Sequence, residues 1–201
     1  EKEKAQRLDL RDRIIFTIDS ADTKDIDDAI SLTRTESGYE LGVHIADVSY
    51  YVTDGTPIDQ DAYSRGTSVY YAEELSNGIC SLNEGEDRLA FSAIMQLDHE
   101  GHMTSYRFEK TLIRSVVKGV YVEINSIFDG TASAEILRKY ERVIPTLQDM
   151  KELFGKLIRN RDERGGLDLE STESKIILDQ NGLAIDIQPR HSGLSENMIE
   201  E

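Results

Sequence analysis

The sequence predicts an α+β fold, with mixed or antiparallel sheets first and helices packed on them. Between Ile14 and Val117, short apolar segments alternate at strand spacing and are separated by turns. From Val122 onward the apolar residues recur at helical spacing instead. At 201 residues the chain is long enough to bury one sizeable core.

Glu1 to Leu8 is highly charged and reads as a lead-in or linker stub. Asp9 to Asp12 introduces the first strand. Ile14, Phe16 and Ile18 alternate with Ile15, Thr17 and Asp19, which is strand spacing with Asp19 at the exit. Ser20 to Lys24 is turn-like, and Ala29 to Thr33 forms the next strand. Glu36-Ser37-Gly38 is a hairpin turn leading into a strand over Tyr39 to Ala46, closed by Asp47 tying a turn. His44 on that strand is a candidate ligand or acid, although a lone strand histidine is more often structural.

Thr56-Pro57-Ile58-Asp59 starts a helix that Gly66 ends, with Thr56 as the cap and Pro57 in the first position. Thr67 to Tyr71 reads as a short β stretch. Leu89 to Asp98 and Met103 to Val117 are strands joined by His99-Glu100-Gly101-His102, and those two histidines lack a ligand set. Arg107, Lys110 and Arg114 on the second strand, with Lys118 just after it and Tyr106 and Phe108 interleaved, form the chain's best basic strip. Phosphate tracking and a solvated face are equal readings of it. Asn77 and Ser81 are placed to contact phosphate or backbone, and Asn77-Gly78 also marks a plain turn.

Val122 to Phe128 is helical. Ser133 caps a helix carrying Ile136, Leu137, Tyr140 and Val143, with Pro145 just beyond. Thr146 to Asp149 has the capping-box pattern for a third helix, which ends near Arg164 at Gly165-Gly166. Leu167 to Glu170, Lys175 to Asp179 and Leu183 to Gln188 read as strands, and Ser195 starts a final helix.

The chemistry concentrates in one stretch. Asp19, Asp22, Asp25, Asp27 and Asp28 crowd together with Lys24 as the only cation among them. Crowded carboxylates raise a pKa or recruit positive charge, and hard divalent cations take oxygen ligands. Asp25 and Asp27 share a face if extended, so convergence of three carboxylates needs irregular backbone at Asp27–Asp28. An acidic loop is ordinarily solvated, but this one is pinned between two apolar strands. An EF-hand loop is excluded, because Ala29 and Ile30 fall where a ligand and the obligatory glycine belong.

Asp9-Leu10-Arg11-Asp12, Thr17-Ile18-Asp19 and Asp25-Ile26-Asp27-Asp28-Ala29 together resemble the signature of the ribonuclease II / ribonuclease R family catalytic domain, the RNB domain, in its bacterial ribonuclease R form. The blocks His44 to Val52, Arg65 to Tyr70, Leu75 to Asn83, Glu163 to Leu167 and Met198 to Glu201 extend the resemblance over nearly the whole chain. It implies that residues 1–201 are the N-terminal part of an RNB exoribonuclease domain, without its distal half or flanking OB-type domains. It further implies processive 3′-to-5′ hydrolysis of single-stranded RNA to nucleoside 5′-monophosphates. Asp19, Asp25 and Asp28 would hold Mg²⁺, or Mn²⁺ in its place. Asp27 would be the residue most essential to chemistry, positioning a second metal or the attacking water. An aromatic at Tyr70 would stack on a base near the RNA's 3′ end. Between Tyr71 and Leu75 the chain is shorter than the family pattern.

Composition alone points elsewhere. The net charge of −16 lacks the basic footprint of a nucleic-acid binder. A small-molecule enzyme, or a non-catalytic acidic domain binding RNA or a protein, fits it better, and a Ca²⁺-binding structural module is a third reading. The single cysteine, Cys80, fits a reducing cytoplasm, and no apolar run approaches membrane-spanning length.

Overall fold

The computed structural model describes residues 2–67, 74–167, 174–189 and 192–201. Six strands, β1 (Leu8–Asp9), β2 (Ile15–Asp19), β3 (Asp28–Thr35), β4 (Gly38–Ala46), β5 (Asp87–Leu97) and β6 (Met103–Val120), form one sheet in the order β1-β6-β2-β3-β4-β5. Because β5 also pairs with β6, the ladder returns on itself as a barrel. β6 makes this possible by its length of 18 residues. Its first part runs antiparallel to β5, and its end, from Ser115 to Val120, runs parallel to β2.

β2 is the strand that closure changes most. Ile15, Phe16, Thr17 and Ile18 are all buried, so both of its faces are covered and simple in–out alternation is lost. Ile15, Ala29, Ala46, Ala90, Ile94 and Ile113 belong to one core cluster, with Ile26 and Leu82. Phe16, Ile18, Leu32, Tyr39 and Val117 belong to a second, shared with helices. The β3–β4 hairpin turns through Glu36 and Ser37 into Gly38, whose φ of 142° suits only glycine. A Cβ there would stand 2.2 Å from the Leu97 carbonyl oxygen.

Contrary to a sheets-first order, α1 (Val48–Tyr51), α2 (Pro57–Arg65) and a π-helical segment over Glu74–Ile79 are inserted between β4 and β5, and α3 (Tyr121–Phe128), α4 (Ala134–Lys139), α5 (Ile144–Glu163) and α6 (Leu194–Glu200) come after β6. A separate hairpin of β7 (Ser174–Leu178) and β8 (Ala184–Pro189) makes a two-stranded sheet. α2 has the anticipated ends: Asp59 N–H donates to Thr56 Oγ1 at 3.4 Å, and Gly66 is left-handed with φ 61°. α5 buries Leu147, Met150 and Leu153 against the sheet.

Several expectations are corrected. The strand expected from Ile14 to Asp19 is β2, and the lead-in before it carries an unanticipated two-residue strand, Leu8–Asp9, ahead of the turn at Arg11. α5 starts at Ile144, two residues before the predicted capping box, since Pro145 fits a first turn and Leu147 N–H already donates to Val143 O at 2.8 Å. Thr146 is therefore inside the helix and buried. α6 begins one residue earlier than predicted, with Glu196 Oε2 accepting from Gly193 N–H at 3.0 Å. Apart from Thr67 and Leu167, the β stretches expected over Thr67 to Tyr71 and Leu167 to Glu170 lie outside the described residues.

Asp47 does more than tie a turn. Arg7 Nη2 donates to its Oδ2 at 2.6 Å, with the two side chains 1% and 3% exposed. Ser49 Oγ donates to its Oδ1 at 2.7 Å. Burial pushes the Asp47 carboxyl up, and the bonds from Ser49 and Arg7 more than reverse that, leaving it lowered. His44 is a buried structural group. Its Nε2 lies 3.0 Å from Ser31 Oγ and its Nδ1 2.7 Å from Ser92 Oγ, which in turn lies 2.6 Å from Thr111 Oγ1. Burial, then the Arg13 charge, holds its pKa down to about 4, so the ring is neutral at physiological pH.

Candidate active site

The carboxylates meet where β2 ends and β3 begins. Asp19 is the last residue of β2, Asp28 the first of β3, and Asp25 and Asp27 lie on irregular chain between them. Strand pairing fixes both flanks. Asp19 is paired with Val120 of β6, and Asp28 with Ile45 of β4. Ala46 N–H donates to the Asp27 carbonyl at 2.8 Å, which anchors the chain between the two strands.

The electrostatics are those of crowded acids. Burial, then the Asp28 charge, raises Asp19 to about 6; Lys118 opposes this, and Asp27 and Asp25 add to it. Asp27 is exposed, yet partial desolvation, then the charges of Asp25 and Asp28, raise its carboxyl. Burial raises Asp28, against a lowering hydrogen bond from its own backbone N–H. Asp19 Oδ2 is buried and accepts no hydrogen bond. An orphaned carboxylate oxygen among repelling acids suits a hard divalent cation, which would compete there with the Lys118 charge. Among the described residues no group of three or more His, Cys, Asp or Glu side chains is placed to hold a metal ion, so the carboxylates are crowded without converging on one point. An ion that keeps several of its waters and takes only a few carboxylates does not need such convergence.

The segment that carries Asp25 is held from two distant places. Ser81 Oγ accepts from Ile26 N–H at 3.0 Å and donates to Lys24 O at 3.1 Å, with Asn83 Oδ1 at 3.3 Å from the same hydroxyl. Leu82 N–H donates to Ile26 O at 2.9 Å. Lys118 Nζ donates to Thr23 O. Ser81 is fully buried, so of its two predicted roles the backbone contact is the observed one. Asn77 sits in the π-helical segment; its Oδ1 accepts from Ser76 Oγ at 3.2 Å and its carbonyl from Asn83 Nδ2 at 3.1 Å.

The predicted basic strip is split by the pleat. Arg107 stands opposite Ile94, and its guanidinium is 4.0 Å from Glu40 and 3.9 Å from Glu109. Lys110 is exposed on the other face, opposite Phe91 and near the stacked Phe91–Phe108 pair. Arg114 binds Asp87 at 2.6 Å. Tyr70 lies outside the described residues. No local pattern marks Lys118 or Ser81 as supports of the acidic segment, because both act across long separations.

Comparison with known proteins agrees with the geometry. The RNB domain family matches residues 7–201. Ribonuclease R 1 of Lactococcus lactis is 43% identical over the whole of this chain and 25% of its own length. Ribonuclease R of Thermotoga maritima is 44% identical over the whole chain and 29% of its own length. The chain thus spans little more than a quarter of the curated relatives it matches. Among solved structures, Mycoplasma genitalium RNase R in complex with double-stranded RNA superposes with a TM-score of 0.92 at 29% identity, covering 99% of this chain and 37% of that one. No helix among the described residues is long and apolar enough to cross a membrane. With its carboxylates placed by the closed sheet and the family match running from Arg7 to the last residue, the chain belongs to the RNB domain family.

Proposed function

We propose that the protein hydrolyses single-stranded RNA from the 3′ end, processively, releasing nucleoside 5′-monophosphates, with Mg²⁺ as its ion and Mn²⁺ able to replace it. The observation that carries this reading is the set of mutually repelling carboxylates on either side of the β2–β3 junction of an RNB fold. Asp19, Asp25 and Asp28 are the residues that would hold the ion, with Asp27 beside them. A bound divalent cation lowers the pKa of water and neutralises charge on the phosphoryl transition state. Asp27, open to solvent, orients the attacking water. Tyr70 supplies a stacking surface for a terminal base, and Asn77, Arg107 and Lys110 are the candidate contacts to the strand. In this reading residues 1–201 are part of an RNB exoribonuclease catalytic domain acting in the cytoplasm. The net charge of −16 makes contacts outside these residues necessary for a firm hold on RNA.

The test is a digest of 5′-labelled single-stranded RNA with Mg²⁺, Ca²⁺ or EDTA. Stepwise shortening from the 3′ end with Mg²⁺, abolished by EDTA, is the expected result. Acidification should act through Asp19: below its pKa of about 6 it takes up a proton and stops serving as a ligand. Cation affinity and rate should therefore fall as pH drops from 7 to 5, by about tenfold per unit once Asp19 is protonated. A flat profile over that range would remove Asp19 from the ion's ligands.

A further inference from the structure

We propose that Ser81 and Lys118 are positioning residues that hold the Thr23–Ile26 segment as a strap, so that Asp25 is presented toward Asp19. The proposal rests on the carboxylates being the cation site. Its geometry is independent of charge counting. Ser81 grips the chain on both sides of Asp25, accepting from Ile26 N–H at 3.0 Å and donating to Lys24 O at 3.1 Å. Lys118 grips one residue further back, at the Thr23 carbonyl. The strap has no strand or helix structure of its own, so these bonds replace the missing ladder.

Both anchors are tied to the sheet. Lys118 lies in β6, in register with Thr17 of β2, so its backbone is tied to the strand that ends in Asp19. Its own N–H donates to Glu84 Oε2 at 2.9 Å, which fixes the lysine from the other side. Ser81 is fully buried, and the Ser81 carbonyl accepts from Arg88 Nε at 2.7 Å, which joins it to β5. Asp19 and Asp25 are thus referenced to the same sheet through separate bonds. Groups that orient ligands in this way typically change metal affinity by 10–100-fold when removed.

The two residues differ in charge, and that makes the proposal testable. Removing a cation from an acidic site should by itself tighten cation binding. Losing an anchor should weaken it. Mn²⁺ titration by calorimetry at pH 7.5, in low salt, reads the sign. Ser81→Ala removes the grip without changing charge and should weaken Mn²⁺ binding about tenfold. Lys118→Met should also weaken it, by about threefold to tenfold, with Lys118→Arg close to wild type because charge and donor are kept. The double variant should fall short of the sum, since both act on one strap. Hydrogen exchange should rise in residues 20–27 in each weakened variant and stay unchanged in β4 and β5.

Tighter Mn²⁺ binding by Lys118→Met would show that the lysine acts only as a competing charge and would overturn its part. Unchanged affinity in Ser81→Ala, or exchange rising evenly through the sheet, would reduce both residues to general stability. Absence of Mn²⁺ binding by the wild type would sink the carboxylate reading, and the strap with it. Normal wild-type binding with unaffected variants would sink the strap alone.

Discussion

Asp27→Asn is expected to lower RNA turnover by about 10²–10⁴-fold, the range over which a positioned acid or base acts. The substitution preserves shape. The Asp27 carbonyl accepts from Ala46 N–H, and that bond does not involve the side chain. The side chain itself is exposed, so no packing is lost. Removing one negative charge also relieves Asp19, which feels Asp27 as a repelling neighbour. Folding and RNA binding should therefore survive while hydrolysis collapses. Single-turnover decay of a uniform poly(A) substrate, with filter binding in parallel, separates the two. Near-normal turnover would remove Asp27 from the chemistry.

Arg7→Met should be the most damaging change to stability. It leaves the Asp47 carboxylate buried without its guanidinium, and breaking such a pair typically costs about 3–5 kcal/mol. The guanidinium also donates to the Ala90 carbonyl at 3.2 Å and lies 5.4 Å from the centre of the Tyr50 ring, so packing is lost as well. For a chain of this size the melting temperature should fall by roughly 10 °C. Adding Asp47→Asn should recover part of that loss, because the stranded charge is gone. A drop of only a degree or two in the single variant would mean that water reaches Asp47.

The sequence made the acidic motif legible because its residues are neighbours: Asp25-Ile26-Asp27-Asp28 announces itself within four positions. The same holds for α2, whose cap, first-turn proline and terminal glycine are all local. What stayed hidden depends on distant pairing. Ser81 reaches Lys24 across 57 residues, and Lys118 reaches Thr23 across 95. Arg7 and Asp47 meet only because β1 lies on β6 and β4 on β5. The strip from Arg107 to Lys118 looked continuous as a string, but the pleat sends Arg107 and Lys110 to opposite faces. The barrel interior and the packed helices together bury β2 on both sides, which no in–out pattern in that segment foretells.

The most direct test of the carboxylate site is anomalous diffraction from crystals soaked in Mn²⁺ near pH 7.5. A peak bounded by Asp19, Asp25 and Asp28, with the once-orphaned Asp19 Oδ2 among its ligands, is the predicted result. A peak confined to other surface carboxylates, with none at the β2–β3 junction, would contradict the assignment.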